Sequence, residues 1–232
     1  MCGRYTNTAG VEELNERFGV PLSSDAGTRR FNIAPTEEVL AVVARRGEPE
    51  ARMLRWGLVA WWAKDMKGAH KMINARAETV ASKPAYRGLI GDSSRRALQI
   101  ADGYFEWLKP EKRSEPRQPF FFQVDGGIPF AFAAVWTPAR IAGERVESVA
   151  LLTCDSSTNP VASAIHGRMP VILADREAQL AWLDPGLCTE DVLELCGALP
   201  AQRLTARPAN PAVNKPGGPE GPELLHAPGV DR

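Results

Sequence analysis

The chain has 232 residues, 44% of them hydrophobic and 24% charged, which is enough apolar side chain for a real core and an ordinary globular share of charge. Its 28 Lys and Arg balance 28 Asp and Glu, so composition excludes the strongly basic class of nucleic-acid binders. The balance hides an asymmetry: residues 1–100 hold 16 of the cations and 11 of the anions, leaving 12 against 17 beyond, so a basic face from the first half and a split without meaning both stay open.

Residues 8–18 read as a short helix, with Thr8 as cap, Val11, Leu14 and Phe18 as its apolar stripe and Gly19 as its end. Strands are predicted over 39–44, 53–59 and 97–107, the last interrupted at Asp102-Gly103. Pro119–Val124 and Pro129–Trp136, rich in Phe, flank Asp125-Gly126-Gly127 and predict a hairpin. Val149–Thr153 and Pro170–Leu173 read as strands, and 158–166, 174–183 and 189–197 as helices. Lys109–Gln118 is charged and holds a Pro, which predicts an exposed loop. Residues 206–232, crowded with Pro and Gly, read either as a disordered tail or as an extended closing segment docked through Leu224 and Leu225. Many short strands with a few helices predict a β-rich α+β chain forming one domain over 1–232.

The four cysteines, Cys2, Cys154, Cys188 and Cys196, form no Cys-x-x-Cys pair, and the three histidines lack metal-ligand spacing, so no metal site is expected. The N-terminus is polar from its first turn and no run approaches the roughly 18 apolar residues of a membrane helix, which predicts a reducing, cytoplasmic setting without membrane contact. No large apolar face is evident, so a monomer is the default.

The chemistry starts at Cys2. Removal of Met1 leaves an α-amine beside a thiol, with reference pKa values of about 8 and about 8.5, both partly nucleophilic at neutral pH. A 1,2-aminothiol condenses with an aldehyde to an imine, and its sulfur then closes a thiazolidine ring. Against this stands the plain alternative of an incidental second-position cysteine. Arg4 suits a phosphate clamp or a surface position. In Ile73-Asn74-Ala75-Arg76-Ala77-Glu78-Thr79, Asn74, Arg76 and Glu78 would share one face of an extended segment, with Glu78 anchoring Arg76. Glu106 lies between Phe105 and Trp107; it is either a carboxyl whose pKa is raised among aromatic rings, suited to acid–base work, or a solvent-facing strand residue. His166 is either a proton shuttle or a structural histidine. Trp61 and Trp62, near Arg55, Lys64, Lys67 and Lys71, can stack on unpaired bases while the cations follow the backbone; equally, one of the pair belongs to the core.

Together, and in this order, Met1-Cys2-Gly3-Arg4-Tyr5, Phe31-Asn32-Ile33-Ala34-Pro35-Thr36, Arg55-Trp56-Gly57-Leu58, Ile73–Thr79, Ala101-Asp102-Gly103-Tyr104-Phe105-Glu106-Trp107 and His166-Gly167-Arg168-Met169-Pro170 resemble the SOS-response-associated peptidase (SRAP) family of abasic-site processing proteins. The matching stretches run from residue 1 to about 173, and Val213 to Leu225 is similar to the family's closing segment. Departures fall at Ala60-Trp61, where the family usually has Pro-Ser, at Arg96-Ala97-Leu98-Gln99-Ile100 and at Ala133-Ala134-Val135-Trp136, and they spare the candidate catalytic positions.

The resemblance implies two sheets curling into a barrel-like core flanked by short helices. It implies a groove for single-stranded DNA and strand junctions, and a Cys2 thiazolidine with the ring-opened sugar of an abasic site that shields the lesion during the DNA-damage (SOS) response. It implies that Asn74 orients the Cys2 amine, Glu106 helps open the deoxyribose ring, His166 aids Schiff-base formation and reversal, Arg4 and Arg76 contact phosphate, and Trp62 or neighbouring Trp61 stacks on a base. No metal or organic cofactor is called for, and in a bacterium the protein would be associated with the nucleoid. The competing readings are a cysteine-type (auto)peptidase with an N-terminal nucleophile, a non-catalytic single-strand binding module, and a β-lyase acting through a Cys2 imine.

Overall fold

A computed structural model describes residues 2–22, 29–45, 47–110, 112, 114, 116–215 and 217–229. Met1, three positions of the 109–118 loop and the last three residues of the closing segment lie outside these. In chain order the first half gives β1 (Arg4–Asn7), α1 (Val11–Phe18), β2 (Arg30–Ile33), β3 (Glu38–Arg45), β4 (Glu48–Trp56), β5 (Asn74–Arg76), α2 (Ala77–Val80), α3 (Arg87–Ile90), β6 (Arg96–Ala101) and β7 (Gly103–Trp107). The second gives β8 (Pro119–Val124), β9 (Phe130–Ile141), β10 (Glu144–Asp155), α4 (Pro160–Ser163), β11 (Arg168–Pro170), β12 (Ile172–Leu173), α5 (Arg176–Leu183), α6 (Thr189–Glu194) and β13 (Leu204–Pro208). The β-rich α+β expectation is met.

Two sheets share the strands. In the larger, β3 pairs antiparallel with β4 and β6, β6 with β9, and β9 with β10; a parallel pairing of β10 with β4 closes the ring. The barrel therefore closes within one sheet, and β5, β11 and β12 extend it. The second sheet is antiparallel in the order β13-β8-β7-β1-β2. β3, β6 and β9 are buried along nearly their whole length, which is why β3 and most of β9 are apolar without alternation, whereas β6 also buries Arg96 and Gln99. Aromatic edges join the sheets: the Tyr5 ring meets Trp56 at 5.2 Å and Phe132 at 5.6 Å, and Tyr104 meets Phe132 at 6.1 Å.

The interruption predicted at Asp102-Gly103 is where the chain leaves the barrel for the second sheet. The Asp102 carboxylate accepts hydrogen bonds from Thr6 Oγ1, Thr8 N and, at 2.6 Å, Thr8 Oγ1, which pins this crossing to β1. Thr8 is thereby taken, and the cap of α1 is Gly10 instead; the predicted stop at Gly19 holds, in left-handed conformation.

The hairpin predicted across Asp125-Gly126-Gly127 does not form. β8 pairs with β7 and β13, β9 with β6, β10 and β12, and the three positive-φ residues swing the chain from one sheet to the other. A tight hairpin forms instead at β9–β10, turned by Ala142 (φ 51) and Gly143 (φ 89), where an alanine carries no turn signal. The strand expected over 170–173 divides at Val171 into β11 on β10 and β12 on β9. Of the two readings for residues 206–232, docking is the outcome: Ala209, Val213 and Leu224 are buried against Phe105 and Phe121. Among the described residues no helix is long and apolar enough to cross a membrane.

Candidate active site

Cys2 lies just ahead of β1, whose register against β7 (Arg4 opposite Phe105, Tyr5 opposite Tyr104) carries the start of the chain alongside Glu106. β5 adds parallel to β10, with Asn74 opposite Leu151, and the Trp56 indole N–H holds the neighbouring Ile73 carbonyl at 3.0 Å. From that position Asn74 Nδ2 donates to the Cys2 carbonyl at 2.9 Å. His166 sits in the turn between α4 and β11, where its carbonyl accepts from Ser156 Oγ at 2.7 Å and its Nδ1 accepts from Arg168 N at 3.1 Å. The same Nδ1 lies 3.5 Å from Glu106 Oε1. The structure thus brings Cys2, Asn74, Glu106 and His166 to one place from four separated stretches of sequence.

Burial decides the electrostatics here. Cys2 is 1% exposed, and desolvation, reinforced by the Glu106 carboxylate, pushes its thiol far above the ordinary range. With Met1 still in place, this pocket disfavours the thiolate; the expectation of a partly ionised thiol concerns the chain lacking Met1, in which Cys2 itself carries the terminal amine. The Glu106 side chain is 5% exposed, and burial raises its pKa. Of the two readings of Glu106, the buried carboxyl is the one observed.

The raised Glu106 carboxyl has a consequence for stability. The folded state holds this proton more tightly than the unfolded chain does, so stability falls as pH rises from about 4.5 through the folded-state pKa. Glu106→Gln is expected to remove that slope, and thermal melts of the two proteins between pH 4 and pH 7 check it. Parallel pH dependences would contradict a buried, reluctant carboxylate.

The candidate DNA contacts divide. Arg4 is buried and its Nη1 donates to Asn32 Oδ1 at 2.9 Å, while Asn32 Nδ2 reaches Lys215 O of the closing segment at 3.3 Å. Arg76 is exposed at the end of β5. Glu78 does not anchor it: the chain turns into α2 after Arg76, and Glu78 forms a two-pronged pair with Arg168 at 2.9 and 3.1 Å. Trp61 and Trp62 are 69% and 47% exposed and meet edge to face at 5.3 Å, so neither is core; the buried indole of that stretch is Trp56. Arg168 is the residue whose part the sequence left unassigned. It ties Glu78 to Thr153 and carries the backbone N–H that fixes His166, and its place two residues after His166 was the available signal.

A closed barrel with a second sheet on its flank, where a buried cysteine and carboxyl meet a half-buried carboxamide and imidazole, describes a β-barrel protein with a polar site built around its second residue. Within that class the chain belongs to the SOS response associated peptidase (SRAP) family, whose model matches residues 1–216. It is 33% identical over 235 residues to the abasic site processing protein YoqW of Bacillus subtilis (strain 168), covering 98% of this chain and 100% of that protein. It is 28% identical to the abasic site processing protein YedK of Escherichia coli (strain K12), over 92% of this chain and 94% of that one. The abasic site processing protein HMCES of Xenopus tropicalis is 30% identical over 69% of this chain and 52% of its own length. A crystal structure of a protein from Bacteroides thetaiotaomicron shares the fold, with a TM-score of 0.83 over 97% of this chain and 99% of the other at 22% identity.

Proposed function

We propose that this protein captures abasic sites in single-stranded DNA as a covalent thiazolidine on Cys2, shielding the lesion from strand breakage. The observation that carries the reading is the Asn74–Cys2 hydrogen bond beside the buried Glu106 carboxyl, which fixes the backbone of the reacting residue next to a proton donor and acceptor. With Met1 removed, the Cys2 amine attacks the ring-opened C1′ aldehyde and water leaves, giving an imine. The thiol then adds to the imine carbon, and its proton passes to the nitrogen, closing the ring. Burial around Cys2, which raises its thiol in the chain that still carries Met1, supports the amine leading, since a protonated thiol is the poorer first nucleophile. Glu106 moves the protons of ring opening, and His166 those of water loss and reversal. Arg76 meets phosphate directly, whereas Arg4, bonded to Asn32, contributes positive field from beneath. Trp61 and Trp62 offer stacking faces.

A cysteine peptidase would need a lowered thiol pKa, which this pocket does not supply while Met1 is in place. The test is intact-protein mass spectrometry with a denaturing gel after mixing the mature protein with an abasic oligonucleotide. The expected species has the mass of protein lacking Met1 plus DNA minus one water and survives heating. Binding without any such species, with Met1 confirmed absent, would leave a passive single-strand binder.

A further inference from the structure

We propose that the open groove on the outer face of β3, β4 and β10 is a second phosphate-binding stretch of the DNA path, taking backbone phosphates of the strand as it runs on from the residue held at Cys2. This rests on the reading of Cys2 as an abasic-site trap and adds a contact which that reading does not use.

The groove encloses about 680 Å³ and is lined by Arg45, Arg52, Arg55 and Arg145 against Glu38 and Glu147, an excess of cations in a neutral chain. Glu147 is already engaged: Arg52 holds it at 2.6 Å and Arg145 pairs with it from the other side. Arg55 differs from Arg52. Its Nη1 donates to Gly57 O at 3.1 Å, and among the described residues no carboxylate lies within ion-pair distance of it. Burial alone pulls its pKa down, whereas carboxylates hold Arg52 above the arginine range. A half-buried guanidinium without a counter-ion carries a desolvation cost that an arriving anion offsets, and its fork matches a phosphodiester.

Position selects DNA as that anion. Met66, in the loop that presents Trp61 and Trp62, also lines the groove, so stacking faces and cations adjoin. On β10, Arg55 lies opposite Ser148 and Asn74 opposite Leu151. Three strand residues span about 10 Å, or about three nucleotides at a stacked rise of about 3.4 Å. Three residues is an odd step, so Arg55 projects from the face of the sheet opposite to the one that Trp56 and Asn74 share; the strand has to turn over the loop carrying Trp61 and Trp62 to reach the groove, and about three nucleotides is the shortest arm that does so.

The experiment is fluorescence anisotropy with oligonucleotides carrying a tetrahydrofuran abasic analogue, which cannot open to an aldehyde, their arms shortened from either side. Wild type is expected to bind about tenfold more tightly once one arm exceeds about three nucleotides, and Arg55→Gln and Arg145→Gln to lose most of that gain. Each variant is also expected to lower the salt slope by about 0.7 for every single-strand phosphate it no longer neutralises. Arg145 is 59% exposed at its side chain, so its replacement leaves the fold undisturbed should Arg55→Gln misfold. Variants that keep the full arm-length gain and salt slope would overturn the groove. Crosslinking of a trimmed, natural abasic oligonucleotide by wild type tests the parent reading separately, because those arms end before the groove.

Discussion

Cys2→Ala is expected to abolish the heat-stable DNA adduct while leaving the fold in place. The substitution removes one sulfur from a site that is 1% exposed, a truncation that costs about 1 kcal/mol. It keeps the α-amine. An imine with the abasic aldehyde remains accessible and is trappable by borohydride, but no sulfur closes the ring, so without reductant the adduct is lost on heating. Cys2→Ser is expected to behave in the same way, since a hydroxyl adds to an imine far less readily than sulfur. Gel mobility after heating, with and without borohydride, separates the steps. Heat-stable crosslinking by Cys2→Ala at the wild-type level would remove the thiol from the mechanism. Rapid strand nicking by the alanine variant would instead expose the lyase chemistry that ring closure suppresses. On the proposed order, in which the amine attacks first, the variant's initial rate of imine formation should be close to that of wild type.

How much of this was legible in the sequence depends on the range of the signal. Gly19 ends α1 as expected because a left-handed stop is a local matter. Asp102-Gly103 was visible as a break, but its meaning, a crossing between sheets pinned by Thr6 and Thr8, depends on partners nearly a hundred residues away. The Asp125-Gly126-Gly127 stretch carried a hairpin signal, yet its flanking Phe-rich strands find better burial in different sheets, and tertiary packing overrides the turn propensity. At the candidate site, the residue types Cys2, Asn74, Glu106 and His166 stood out, and the resemblance grouped them. Their environment did not: nothing local shows that the thiol is buried, that Glu78 turns away to Arg168, or that Trp56 rather than Trp61 or Trp62 is the buried indole. Desolvation is a property of the assembled sheets, and no local stretch of sequence carries it.

Gly103→Ala is expected to be among the most damaging single-methyl additions in the chain. Its backbone has no left-handed φ, so the cost is steric alone. A Cβ there would run into Phe121 Cζ, standing 2.5 Å from Phe121 Cε2 and 3.0 Å from the Phe122 carbonyl. The ring cannot simply step aside: Phe121 packs on Phe105 at 5.0 Å, carries the Arg207 guanidinium over its face, and forms the floor on which Ala209, Val213 and Leu224 dock. Overpacking of this kind costs about 3 kcal/mol, which for a chain of this size lowers the melting temperature by roughly 6–12 °C. The damage should also reach the chemistry, since β7 and β8 are held in register through Glu106 opposite Phe120, and a β7 pushed off β8 moves the carboxyl away from Cys2 and His166. Combining Gly103→Ala with Phe121→Leu provides the check. If the clash is the cause, the double variant should melt higher than the sum of the single losses predicts and recover part of the crosslinking rate. If the losses add without coupling, the close approach of Gly103 to Phe121 is not what seats β7, and the position of Glu106 rests on the Asp102 crossing instead.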